Sequence, residues 1–199
     1  MSNTGYEDII VLLDKSGSMI NSGNEPIEAM NKFISDQKEV TPEGSPATLS
    51  FYTFSTFVET VYSDQLLCNI GKFEKYEPNG LTSLYDAIRK AITDKLCTDR
   101  KDNVILLIVT DGKDNSSQKT TQKEAKDMIS EVELKYNWKT IFLGANIDVQ
   151  QESKNISNRA MSISFDQQVA GGLYREVTSV SRSISAMRTR EPKRLPSTP

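Results

Sequence analysis

The 199-residue chain is 37% hydrophobic and 26% charged with a formal charge of −3, the composition of one globular domain with a buried core. No basic excess points to nucleic acid, and no apolar run approaches the roughly 20 residues that span a bilayer. Histidine is absent, which excludes Ser-His-Asp and Cys-His catalysis and His-bound zinc, so any metal must be held mainly by oxygen.

The first residues, MSNTGYEDII, have neither the basic patch nor the apolar stretch of a secretory signal, and the chain reads as cytoplasmic. Residues 9–13 are a continuous apolar, β-branched run, suited to a strand buried on both faces. Ile27, Met30, Phe33 and Ile34 then mark a helical stripe, with Pro26 placed for its first turn. Residues 47–54 and 57–62 read as strands, and the short link between them allows only an antiparallel pair. Leu84, Ile88, Ile92 and Leu96 mark a second helix, residues 104–109 another fully buried strand, and Ala125, Ile129, Val132 and Tyr136 a third helix. A strand at 139–144, a short helix at 149–154 and a weaker strand at 160–165 follow. Val169, Leu173, Val177, Val180, Ile184 and Met187 outline a long final helix. Residues 188–199 hold three prolines and Arg188, Arg190, Lys193 and Arg194, and read as a solvated, disordered tail. Cys68 and Cys97 fit no metal spacing or disulfide framework and read as reduced, partly buried thiols.

This order predicts an α/β fold. The expected architecture is a single domain over residues 1–187, with a Rossmann-like, doubly wound, mostly parallel six-stranded sheet. One edge strand is antiparallel, and helices cover both faces.

Such sheets bind ligands beyond the carboxyl ends of their strands. Asp14, Ser16 and Ser18 follow the first strand in LLDKSGSMI, Asp111 ends the fourth in VILLIVTDGKDN, and Thr82 lies in the loop EPNGLTS before a helix. Two carboxylates and three hydroxyls from three loops form a donor set that suits a small hard cation such as magnesium. Each piece also has a plainer reading. Asp14-x-Ser16-x-Ser18 makes a good polar turn or helix cap, Asp111-Gly112 a common turn, and Thr82 a cap.

Together these residues resemble the metal-ion-dependent adhesion site of the von Willebrand factor type A family. Its Asp-x-Ser-x-Ser, loop Thr and strand-closing Asp are matched by Asp14, Ser16, Ser18, Thr82 and Asp111. TSLYDAI, VTDGKDN and IFLGANID are similar to the family's surroundings. Where members often carry two glycines before the threonine, this chain has Asn79-Gly80-Leu81, a change expected to alter how Thr82 approaches the ion. The resemblance implies a Mg2+ site, with Mn2+ as a substitute. In it the two serines and, in the high-affinity state, the threonine bind directly, and the aspartates act through water. An Asp or Glu of a protein partner fills the open position, without catalysis. Met19, Gly80 and Asp114 are the candidate partner-facing residues, ordinary loop positions being the alternative. Two other classes stay open. One is a scaffold subunit with a structural or vestigial metal site. The other is a phosphotransferase or hydrolase using Asp14, although enzymes of the haloacid dehalogenase type place a second Asp where this chain has Ser16.

Overall fold

A computed structural model describes residues 6–189. The apolar runs Asp8–Asp14 (β1) and Val104–Thr110 (β4) are buried along their whole length. That requires cover on both sides of the sheet, which places them at its centre. Around them lie Thr48–Phe54 (β2), Val58–Leu66 (β3), Lys139–Gly144 (β5) and Met161–Ser164 (β6), in the order β3-β2-β1-β4-β5-β6. All neighbours pair in parallel except β2 and β3, which run antiparallel, with bulges near Phe51. The expected six-stranded sheet with one antiparallel edge is therefore present.

Helices fill both faces because successive strand residues point to opposite sides. Ile9, Val11 and Leu13 pack with Met30 and Phe33 of Glu25–Glu39 (α1) and with Val177, Val180 and Ile184 of Gly172–Thr189 (α5). Ile10 and Leu12 pack on the other face with Ile88 and Ile92 of Leu84–Leu96 (α2), Ile129 of Gln122–Lys135 (α3) and Ile156 of Val149–Ile156 (α4). Pro26 occupies the first turn of α1, where its missing N–H costs nothing. A reciprocal Thr121–Glu124 capping box starts α3.

Four expectations are corrected. Val169 precedes the final helix and is 45% exposed, because the chain turns at Gly171 (φ +76°) before α5 begins. Phe57 lies outside β3 and is 76% exposed. Both cysteines are exposed. The final helix continues through Arg188 and Thr189, where Arg188 donates to the Gln37 carbonyl and side-chain oxygens and to the Thr41 hydroxyl. The remainder of the expected tail, residues 190–199, lies outside the described residues.

Residues 67–83 carry little regular structure, yet they are firmly tied down. The Asn31 side chain pairs with the Phe73 backbone at 2.8 Å in both directions, and the Phe73 ring packs on Phe51 at 4.8 Å between centroids. The segment thereby delivers Thr82 to the carboxyl end of the sheet.

At the opposite end of β1, buried Asp8 accepts from Lys95 Nζ at 2.8 Å and from Arg100 Nη2 at 2.6 Å, and Lys95 also reaches Asp64. Burial alone would raise the Asp8 carboxyl, but the two cations outweigh it and hold it below its ordinary value. Lys95→Met keeps the bulk and removes one of the two cations on Asp8, leaving Arg100, so unfolding in urea at pH 7 should show a loss of about 1–3 kcal/mol. A lowered carboxyl stabilises above its unfolded pKa and loses that contribution as the pH falls through its folded value. The difference between wild type and variant should therefore shrink below about pH 4.

Candidate metal centre

The order of the sheet reverses at β1, so the carboxyl ends of β1 and β4 bound a crevice at the switch point. Asp14 and Asp111 close those two strands. Asp14 is fully buried, accepting from the Ser16 N–H at 2.6 Å and from the Thr110 hydroxyl at 2.6 Å. Burial pushes its carboxyl up to about 6. The bonds from Thr110 and Ser16 oppose that rise, and the charge of Asp111 adds to it.

A short 3-10 turn, Gly17–Ser22, follows β1; Ser16 before it is buried and Ser18 within it is exposed. Ser16 Oγ lies 3.1 Å from Ser18 Oγ, and the Ser18 hydroxyl donates to Asp111 Oδ1 at 2.7 Å. Adjacent oxygens of an octahedral magnesium shell, with bonds of about 2.0–2.1 Å, stand about 2.9 Å apart. The Ser16–Ser18 spacing is close to that edge.

Thr82 arrives from the far loop and is 3% exposed. Its backbone N–H donates to Asn115 Oδ1 at 2.8 Å, and its carbonyl accepts from Asn115 N at 2.9 Å. Its hydroxyl has no hydrogen-bond partner among the described residues. A Cβ on Gly112 would stand 3.5 Å from Thr82 Oγ1 and 4.0 Å from Ser18 Oγ, so the glycine leaves open the space that these hydroxyls border. Among the described residues no three carboxylate or thiol groups gather as a metal cluster. The donors that meet here are two carboxylates and three hydroxyls, an all-oxygen set that fits a hard dication.

The partner-facing candidates separate. Met19 is fully buried, so its place as a surface contact is corrected. The 3-10 turn directs it into the core and leaves its neighbour Ile20 65% exposed. Gly80 is exposed at φ +75°, and its carbonyl accepts from Gly17 N at 3.0 Å. Asp114 is half-buried and accepts from the Tyr85 N–H at 3.0 Å and from Ser117, which ties the loop after β4 to the start of α2. Leu81 is 53% exposed, its N–H held by Thr56 Oγ1 at 3.0 Å, and Thr82 behind it stays buried.

Sequence reading missed several supporting groups. Thr110 was visible as the residue before Asp111 on a strand adjacent to β1. Asn115 closes the stretch VTDGKDN and carries no signal of its own there. Tyr76, whose hydroxyl donates to the Asp14 carbonyl at 2.5 Å, and Gln167, which donates to Asp111 Oδ2 at 2.8 Å, gave no local signal. Burial, then the charges of Asp14 and Asp111, push the Tyr76 hydroxyl upward and keep it a donor.

The profile of the von Willebrand factor type A domain matches residues 8–172; the chain belongs to that family. No curated protein sequence matches it. Among solved structures it is similar to a von Willebrand factor type A protein from Catenulispora acidiphila (12% identity, TM-score 0.61, 91% of this chain and 43% of that one). It is also similar to proximal thread matrix protein 1 of the mussel byssus with a zinc-occupied MIDAS motif (17%, 0.61, 92% and 48%). A third is the manganese-loaded TRAP protein of Plasmodium vivax (17%, 0.55, 87% and 74%). The chain spans less than half the length of the first two. At these identities the likeness is one of fold.

Gly80→Ala would set a Cβ 2.6 Å from Thr56 Oγ1 at a positive φ. The expected outcome is a loss of about 1–2 kcal/mol in chemical denaturation, with faster amide exchange at Gly17 and Leu81.

Proposed function

We propose that this chain is a magnesium-dependent protein-binding module of the cytoplasm. In this reading Ser16, Ser18 and Thr82 hold the ion directly, and Asp14 and Asp111 balance its charge through water. Manganese substitutes for magnesium, and an Asp or Glu of a partner protein completes the shell. The observation that carries the proposal is the meeting of Ser16 Oγ, Ser18 Oγ and Asp111 Oδ1 at 3.1 and 2.7 Å, beside Thr82, a buried residue whose hydroxyl has no hydrogen-bond partner among the described residues. The zinc- and manganese-bearing relatives in fold support a divalent site of this kind. A dication balanced by only two carboxylates keeps attraction for a third.

Binding is favoured over phosphotransfer from Asp14, because that side chain is fully buried and both its oxygens already accept hydrogen bonds, poor placement for a nucleophile. No helix among the described residues is long and apolar enough to cross a membrane. The proposed partner is a protein rather than nucleic acid or a membrane, because exposed apolar side chains stand among polar ones on the loops round the site. Ile20, Phe57, Leu81 and Val169, all exposed, lie on loops at the carboxyl rim. Exposed apolar side chains gathered in one region suit a protein contact. In this reading Gly80 and Asp114 belong to the same face, Asp114 through its hold on the Tyr85 N–H.

Saturating Mn2+ or Mg2+ should raise the melting temperature, a ligand at a hundred times its Kd adding about 2.7 kcal/mol. Asp14→Ala and Asp111→Ala should abolish the shift. Affinity capture should yield a partner that chelator releases and that Leu81→Asp fails to retain while still binding metal. Capture that survives both chelator and Asp111→Ala would refute the mechanism.

A further inference from the structure

Gln167 lies on the loop between β6 and α5, far in sequence from the five oxygen donors, and its side chain crosses the rim to reach them. Its Nε2 donates to Asp111 Oδ2 at 2.8 Å and to Ser22 Oγ at 3.1 Å, and it lies 3.5 Å from Met19 Sδ. Its Oε1 accepts from Asn146 Nδ2, which fixes the orientation of the amide. Asn146 follows β5 in a left-handed conformation (φ +56°) that aims its side chain across the loop. One half-buried amide thus joins the loops that follow β1, β4, β5 and β6.

Asp111 consequently has its two oxygens assigned to different tasks. Oδ2 is held by Gln167, and Oδ1 faces Ser18 and the space bordered by Thr82. Without the amide, the carboxylate is free to rotate about its last bond, and Oδ2 must find water in a nearly buried position. Groups that hydrogen-bond to the far side of a metal-associated carboxylate fix its direction, and removing them typically lowers metal affinity.

We infer that Gln167 is a positioning residue for the metal centre, setting divalent-ion affinity by holding Asp111 with Oδ1 turned inward; the inference rests on the metal-binding reading above. Gln167→Met retains length and apolar bulk, including contact with Met19, but donates nothing. Gln168 is exposed on the same loop, so Gln168→Met controls for a general disturbance there. Titration of the full chain with Mn2+, followed by electron paramagnetic resonance of free ion and by calorimetry, should give a Kd about 10–100-fold weaker for Gln167→Met. Gln168→Met should match wild type, and the two variants should share the metal-free melting temperature. Equal or tighter Mn2+ binding by Gln167→Met overturns the inference and leaves the metal site standing. Weakening that Gln168→Met reproduces also overturns it. Wild type that binds no Mn2+ overturns both readings together. Should Gln167→Met unfold, Asn146→Ala, which frees the amide while leaving Gln167 in place, must weaken Mn2+ binding in the same direction for the inference to survive.

Discussion

The central strand β1 begins and ends in a buried aspartate, and the rest of the molecule is arranged by how each end answers that cost. A carboxylate taken out of water must be paired or neutralised. Asp8 is paired: Lys95 and Arg100 sit against it, and its carboxyl is held below the ordinary value. Asp14 has no cation beside it among the described residues, faces a second carboxylate in Asp111, and is pushed up to about 6 chiefly by burial. The same strand therefore closes one end with its own ammonium and guanidinium and presents at the other a charge that hydrogen bonds only partly offset. A dication bound between Asp14 and Asp111 would complete at the carboxyl end what Lys95 and Arg100 complete at the amino end.

That view explains why the loops around the site are so thoroughly tied. Neutral donors surround the aspartates where no protein cation does: Thr110 and the Ser16 N–H at Asp14, Ser18 and Gln167 at Asp111, Tyr76 at the Asp14 carbonyl. The donors come from the turn after β1, from β4, from the loop before α2 and from the loop before α5, so satisfying the charges also fixes the rim. Asn115 applies the same logic to Thr82, gripping its backbone at both N–H and carbonyl and leaving the hydroxyl uncommitted. An oxygen site with directional demands needs its ligands held this way in advance, because each one must otherwise be ordered when the ion arrives.

The fold was legible because its signals are local. Continuous β-branched runs marked β1 and β4, periodic stripes marked α1, α2 and α3, and a short link fixed the antiparallel edge. The five oxygen donors were legible as a pattern of residue types on strand ends. Errors fell where a side chain's direction depends on a turn. Met19 and Ile20 are adjacent apolar residues, and only the 3-10 geometry decides that the first is buried and the second exposed. Val169 continues the spacing of α5, yet Gly171 and Gly172 start the helix three residues later; a Cβ on Gly172 would lie 2.1 Å from the Asp166 carbonyl oxygen. Tyr76 and Gln167 reach the site across 62 and 56 residues respectively, and no window of sequence contains such a contact.

Charge and identity are separated on the proposed binding face. A metal flanked by two carboxylates recognises any acidic side chain of suitable reach, so it cannot by itself distinguish one partner from another. Discrimination must come from what surrounds it. Leu81 is exposed, whereas Thr82 beside it is buried with its backbone held by Asn115. The effect of Leu81 is outward. With Phe57 beyond the Thr56 turn on one flank, and Ile20 and Val169 on the loops joined by Gln167 on the other, apolar surface borders both sides of the oxygen cluster. A partner whose acidic residue is flanked by apolar side chains buries that surface, whereas one with charged flanks must desolvate them against it. On the proposed reading, Leu81 therefore bears on which partner the face accepts, while the oxygen donors lie behind it.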